Sequence, residues 1–456
     1  MKLSRRTILQ AAGSLPFAVA SIRTEALAQT SSATSSSEVP PILFVHGNSD
    51  YDALWMTTLW RMESNGIARD RMMAINFTNP SARSDDTVEQ ANRSSTEEQR
   101  RELAAAIAEL RRRTGAARVA LVGNSRGGNS IRNVIKHGGA GEVSHAVLCG
   151  TPNHGVFALD DQLGNEFNGR GTFLRGLNEG DSEVTPGTAF LTLRSDGMDK
   201  YAQPDGRFIG KPGAPTNVTA EGPELKGATN LVLGTIDHRE TAYHPRAFRE
   251  IYKFIAGREP ARIAITPERT VRLSGLVTGS ADGVPTNRPV AGAMVEVFAV
   301  DRESGERRGD MVSRATTGAD GRWASAEVDP TSPLEIVLTS PDAPTTHFYR
   351  SPFPRSSAVV HLRAARAFTP EEKDAGAVVL MTRPRGYFGL PRDTVLFDGR
   401  EPADVHPGVP TDATATLRLP ASEVGRNVVA QFNEERIVAR AWPASENRIA
   451  VAEMTY

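Results

Sequence analysis

Between Pro40 and about Arg258, short unbroken apolar runs alternate with helical stretches. Ile42-Leu43-Phe44-Val45 and Val119-Ala120-Leu121-Val122 are the first two runs. Ala146-Val147-Leu148-Cys149, Ala189-Phe190-Leu191-Thr192-Leu193 and Leu231-Val232-Leu233 complete a set of five. Strands that are apolar on both faces need cover on both sides, and intervening helices supply it. This predicts an α/β half with a mostly parallel sheet. Ser95 and Glu98 fit a capping box, Leu103, Ile107 and Leu110 share one helical face, and Thr114-Gly115 gives a stop signal. After Glu259-Pro260 the pattern becomes period-two alternation, as in Val271-Arg272-Leu273-Ser274-Gly275-Leu276-Val277, with turn pairs at Asp282-Gly283 and Asp320-Gly321. That predicts an antiparallel β-sandwich or barrel region, divided near residue 365 into 261–365 and 366–456.

Charge narrows the function classes. With 53 Lys and Arg against 54 Asp and Glu, the chain has none of the basic excess of a nucleic-acid protein, so no nucleic-acid partner is expected. Cys149 is the lone cysteine, which excludes an intrachain disulfide and a Cys-rich zinc site. At the N-terminus, Ser4-Arg5-Arg6-Thr7-Ile8-Leu9 precedes a weakly apolar run that ends near Ala26-Leu27-Ala28. Residues 1–28 resemble a twin-arginine export signal, and 29–39 read as a Ser/Thr-rich linker. The twin-arginine translocon is the expected export partner, and a periplasmic or secreted location the expected destination. The apolar run is shorter than the roughly 20 residues that span a bilayer, so no integral membrane segment is expected in the mature protein.

Gly123-Asn124-Ser125-Arg126-Gly127 fits G-x-S-x-G, follows an apolar strand run and precedes the helical stretch 129–135. A serine on a strand-to-helix turn is held in strain with its hydroxyl exposed, and glycines two positions either side let the chain pack through the bend. His46-Gly47-Asn48 follows the first strand, where the Asn48 amide, with the Arg126 amide, would face an acyl oxygen. His46 is expected to brace that loop. The base should sit on a loop after a strand. His238 does so, with His244 as competitor; His137 and His145 are expected to be structural. The pair His238 and His244 lacks a third ligand, so no metal is expected. Asp196 and Asp199 both qualify as the acid that orients the imidazole.

These motifs together resemble the α/β-hydrolase superfamily, and within it the bacterial lipases and esterases, over residues 40–258. The matching stretches are Val45-His46-Gly47, the turn at Ser125, Gly150-Thr151-Pro152-Asn153-His154-Gly155, Leu193-Arg194-Ser195 leading to Asp199, and Asp237-His238. Asp199 through Pro204 fits the D-x-x-x-x-P form found in such lipases. The resemblance implies an α/β-hydrolase core with Ser125 as nucleophile, Asp199 as orienting acid, His238 as base, and the Asn48 and Arg126 amides as oxyanion hole. It places His154 at the substrate site; Phe157 falls in the loose apolar segment after it, which is expected to form a cap that binds the acyl chain. Arg126 departs from the usual apolar neighbour. Its guanidinium would either favour a polar or anionic acyl group or turn away to a surface carboxylate. The C-terminal β region resembles the layout of certain thermophilic archaeal lipases. The expectation is an exported serine carboxylic ester hydrolase without a cofactor, acting on an ester or lipid. The alternatives are a secreted polyester depolymerase or a non-catalytic binding protein on a hydrolase fold.

Overall fold

The apolar runs form a six-stranded, all-parallel sheet in the computed structural model, which describes residues 39–209, 213–341 and 343–456. The expected export signal, and the linker apart from Val39, lie outside the described residues. The strands are β1 (Ile42–Val45), β2 (Met72–Ile75), β3 (Val119–Asn124), β4 (Val143–Cys149), β5 (Ala189–Arg194) and β6 (Thr229–Val232), in the order β2-β1-β3-β4-β5-β6. The helices are α1 (Met56–Ser64), α2 (Thr96–Thr114), α3 (Arg126–Lys136), α4 (Thr172–Leu177), α5 (Glu240–Tyr243) and α6 (Pro245–Ala256). Sequence reading missed β2. It is a half-buried edge strand, Met72-Met73-Ala74-Ile75, whose apolar run is only four residues long and follows directly on Arg69-Asp70-Arg71.

Strand alternation sends side chains of β1 to both faces. Ile42 and Phe44 pack with Met62 of α1 and Phe248, Ile251 and Ile255 of α6. Leu43 and Val45 pack with Leu103, Ile107 and Leu110 of α2 and with Ile131 and Val134 of α3. The expected capping box closes the start of α2, and Gly115 at φ 67° ends it. After β1 the chain moves outward to β2 and then returns to β3 on the other side of β1. The carboxyl ends of β1 and β3 therefore flank the point where strand order reverses, the usual crevice of an open α/β sheet. The loops at 46–48 and at Ser125 leave from these two ends.

The C-terminal half is β structure, but its largest sheet is mixed. Seven strands run in the order Ser313–Thr316, Met294–Ala299, Leu334–Thr339, Thr345–Arg350, Arg448–Glu453, Ala377–Thr382 and Thr414–Leu419. The last strand of the chain, Arg448–Glu453, is inserted between two others and is parallel to both. Period-two alternation reports a half-buried strand and carries no information on direction or neighbours, so the antiparallel expectation was incomplete. The sheet contains strands from both sides of residue 365, and the division expected there does not interrupt it. Asp282-Gly283 forms the expected hairpin turn, with φ of 51° and 74°.

The two halves share core. Trp60 of α1 is buried among β-half residues, edge-on to Phe353, and its Nε1 donates to the Ser356 carbonyl at 3.0 Å. Asp52 pairs with His361 from the β half, whose Nδ1 accepts the Leu276 N–H at 2.9 Å. Truncation of so large a buried side chain at this junction, Trp60→Ala, should lower unfolding free energy by about 3–5 kcal/mol in chemical denaturation. A loss under about 1 kcal/mol would mean that the halves do not depend on this contact.

Candidate active site

Ser125 occupies φ 52° and ψ −123°, a region that ordinary side chains avoid. Its N–H donates to the Cys149 carbonyl at 2.8 Å, which fixes the turn against β4. The flanking glycines are required by contact. A Cβ on Gly127 would lie 2.5 Å from the carbonyl oxygens of both Val45 and His46. One on Gly123 would lie 2.8 Å from the Gly127 backbone. The first turn of α3 is thereby pressed against the end of β1. The Arg126 amide belongs to that first turn, where N–H groups have no partner within the helix.

Across the crevice, the loop after β1 is braced from two sides. His46 is buried; its Nδ1 donates to the Gly47 carbonyl at 2.9 Å and its Nε2 accepts the Phe77 N–H at 3.1 Å. Burial holds its pKa below the ordinary histidine value. The Asn48 side chain accepts the Ala82 N–H at 2.8 Å, which leaves its main chain fixed at the mouth of the crevice.

His238 follows β6 on a short loop and is buried. Its Nδ1 pairs with Asp199 Oδ2 at 2.8 Å, while Asp199 Oδ1 accepts the Tyr201 N–H at 2.8 Å. His238 Nε2 is buried with no hydrogen-bond partner. Ser125, Asn48 and His238 line one cavity of about 60 Å³. Asp196, the other candidate acid, instead accepts the Thr235 N–H at 2.8 Å and ties two loops together. His244 is a helix cap, its Nδ1 accepting the Arg246 N–H at 3.2 Å, and burial pulls its pKa down to about 4.

Three expectations change on the structure. The Arg126 guanidinium turns away from Ser125 and pairs with Glu166, which is buried and not a surface carboxylate; it also donates to the Pro80 and Ser94 carbonyls. Phe157 lines neither this cavity nor the adjoining one of about 360 Å³. The segment is extended there, so Val156 and Ala158 face the larger cavity and Phe157 points the other way. His154 does line the larger cavity, held by Glu183 at 3.0 Å. The segment expected as a cap is a fixed wall in part. Arg132 and Lys136 of α3 hold the end of α4 through Asn178 and the Gly176 carbonyl, each at 2.5 Å, and Phe167 lines the serine cavity.

The β half also reaches the site. Tyr387 lines the Ser125 cavity, and its N–H donates to Asp237 Oδ2 at 2.9 Å. Arg383 binds Asp237 at 2.7 Å and Glu240 at 2.5 Å, and Arg392 binds Glu240 at 2.9 Å. These carboxylates flank His238. Asp237 Oδ1 accepts the Glu240 N–H at 2.9 Å, and Glu240 accepts the Asp237 N–H at 2.5 Å, which sets the start of α5. Burial alone would raise the Glu240 pKa, but Arg383 and Arg392 outweigh it and hold the group at about 2. The only sequence signal for this contribution was the run of arginines around Tyr387, at Arg383, Arg385 and Arg392, in a chain of near-zero net charge.

An open parallel sheet with a strained serine turn at its switch point defines an α/β-hydrolase core. Residues 39–155 match the family model for lipase (class 2), and residues 269–367 match that for the lipase C-terminal domain. Two stretches of the chain are thus similar to lipases, the first covering strands β1 to β4 and the serine turn of the parallel sheet and the second lying in the β half. A Listeria innocua gene product of solved structure is 15% identical, with TM-score 0.35, over 49% of this chain and 96% of its own. Aspergillus fumigatus lipase B is 15% identical, with TM-score 0.35, over 49% of this chain and 54% of its own. A Bacillus licheniformis lipase in propeptide form is 18% identical, with TM-score 0.34, over 66% of this chain and 71% of its own. No curated protein matches.

Replacing Arg383 by Gln leaves two buried carboxylates short of their cation, and the expected loss is about 3–5 kcal/mol in chemical denaturation. The pH dependence has a defined sign. Because the folded-state pKa of Glu240 is depressed, its stabilisation is complete above the ordinary Glu value of about 4.3 and is lost as pH falls from there toward about 2. Arg383→Gln should shrink this acid-labile part of the stability curve; an unaltered curve would show that the arginine is not what depresses Glu240.

Proposed function

We propose that this chain is an exported serine carboxylic ester hydrolase working through Ser125, His238 and Asp199. The observation that carries the reading is His238, which lines the same cavity as Ser125, has its Nδ1 held by Asp199 at 2.8 Å and keeps its buried Nε2 without a partner. With Nδ1–H donated to the carboxylate, Nε2 carries the lone pair that a general base needs. Ser125 Oγ attacks the ester carbonyl carbon as its proton passes to His238 Nε2. The oxyanion takes hydrogen bonds from the Asn48 and Arg126 amides. His238 then protonates the alcohol oxygen as the C–O bond breaks, leaving an acyl group on Ser125. Water, deprotonated by His238, attacks the carbonyl carbon of that ester, and His238 returns the proton to Ser125 Oγ as the C–O bond breaks and the acid leaves. Asp199 stabilises the imidazolium at each step and keeps its own proton state.

Export rests on Arg5-Arg6, the apolar run and Ala26-Leu27-Ala28. On this reading the translocon delivers a folded chain to the periplasm or beyond.

Hydrolysis of a nitrophenyl ester series from acetate to palmitate tests the reading. Ser125→Ala should lose nearly all activity while remaining folded, and Asp199→Asn should lower kcat by about 10⁴-fold through the wrong imidazole tautomer. Full activity in Ser125→Ala would remove the serine mechanism. Inactivity of folded wild type on every ester would remove the hydrolase reading itself.

A further inference from the structure

A hydrolase of this design must place the alcohol part of its ester on the histidine side, because the same Nε2 that takes the serine proton returns it to the alcohol oxygen. The residues beside His238 in the cavity are therefore those that meet the leaving group. They are Arg239, Asp50, Tyr201 and Tyr387. This follows from the function proposed above and goes beyond it.

Arg239 is adjacent to His238 in the chain, and its position is set by the β half. One terminal nitrogen donates to the Pro384 carbonyl at 2.8 Å, and the guanidinium lies over the Tyr387 ring at 5.3 Å. Its Nε faces Asp50 Oδ2 at 3.6 Å, too long for a hydrogen bond. The other Asp50 oxygen accepts the Tyr51 N–H at 2.9 Å. Among the described residues, none takes a hydrogen bond from the second terminal nitrogen of Arg239, and none donates to Asp50 Oδ2. A cation with a donor to spare thus stands beside an anion with an acceptor to spare, both at the wall of a cavity. Arg239 and Asp50 neutralise each other as an ion pair, so a charged ligand would upset that balance, and an alkyl group would leave the spare donor and the spare acceptor unused. A hydroxyl satisfies both, since it donates to Asp50 and accepts from Arg239.

We infer that Asp50 and Arg239 form a subsite for a second hydroxyl on the alcohol portion of the ester, so that esters of diols or polyols are preferred over simple alkyl esters. The inference replaces Arg126, which is turned away, with a different guanidinium that does face the serine cavity.

The test compares 2-hydroxyethyl butyrate with propyl butyrate, which share the acid and differ by a hydroxyl in place of a methyl group. Wild type should favour the hydroxyethyl ester by about tenfold or more in kcat/KM. Arg239→Met and Asp50→Asn should each bring that ratio toward one, mainly through KM. A wild-type ratio near one overturns the subsite without any variant being needed. So does a preference that survives in both variants, or hydrolysis of nitrophenyl butyrate with neither alkyl ester accepted. Failure on all three esters, nitrophenyl butyrate included, is a different result: it removes the hydrolase reading, and the subsite with it.

Discussion

The serine turn exists because three pieces of backbone meet at van der Waals distance. Gly127 lies so close to the end of β1 that a single methyl group there would sit 2.5 Å from two carbonyl oxygens. A serine at positive φ costs about 1–3 kcal/mol, and the surrounding sheet must over-determine the conformation for it to persist. It does so through burial of all of β1 and β3 and through the bond from Ser125 N–H to Cys149. One close approach therefore sets several distances at once. The first turn of α3 is pressed against the end of β1, Ser125 and Asn48 line one cavity, and the end of β4 is held alongside. Electrostatic help for an oxyanion needs donors that do not move during reaction, and in the proposed mechanism the Asn48 and Arg126 amides have that role.

A second constraint is electrostatic and comes from far along the chain. Asp237 and Glu240, which bracket His238, are buried carboxylates paired with Arg383 and Arg392, and the arginines hold Glu240 low while burial and the neighbouring Glu240 push Asp237 up. Buried ion pairs are weak evidence for added stability, because desolvation offsets much of their attraction, but they fix geometry strictly once formed. Here they fix the loop that carries the proposed base. The same arginine-bearing loop inserts Tyr387 into the serine cavity. The β half is thus part of the site and not an appendage to it. Trp60, Asp52 and Asn287 extend the junction, with Asn287 donating to the Asp50 and Phe77 carbonyls at 3.0 and 2.9 Å.

Local signals were legible in the sequence, and long-range ones were not. The capping box at Ser95, the helix from Pro245 to Ala256, the strand runs and the Asp282-Gly283 turn all depend on neighbours a few residues away. The association of Asp199 with His238 could be narrowed by a motif but not chosen by spacing, since Asp196 sits equally well on the same loop. What decided between them in space was the direction of each side chain after the turn. Phe157 was misassigned for a related reason: a large apolar residue near a site points toward it or away from it according to strand parity. For Arg126 the sequence left two directions open, and its buried partner could not be named because Glu166 is 40 residues away and nothing local announces the pairing. The insertion of the last strand between two earlier ones, and the arrival of Tyr387 at the cavity, are tertiary facts with no local signature.

The central claim is that Ser125 is an activated nucleophile. The most direct measurement is covalent labelling by a fluorophosphonate, with the modified peptide located by mass spectrometry. Phosphonylation confined to the peptide that carries Ser125, abolished in Ser125→Ala and slowed in Asp199→Asn, is the expected result. A folded wild-type chain that takes no label, or takes it at another serine, would contradict the account.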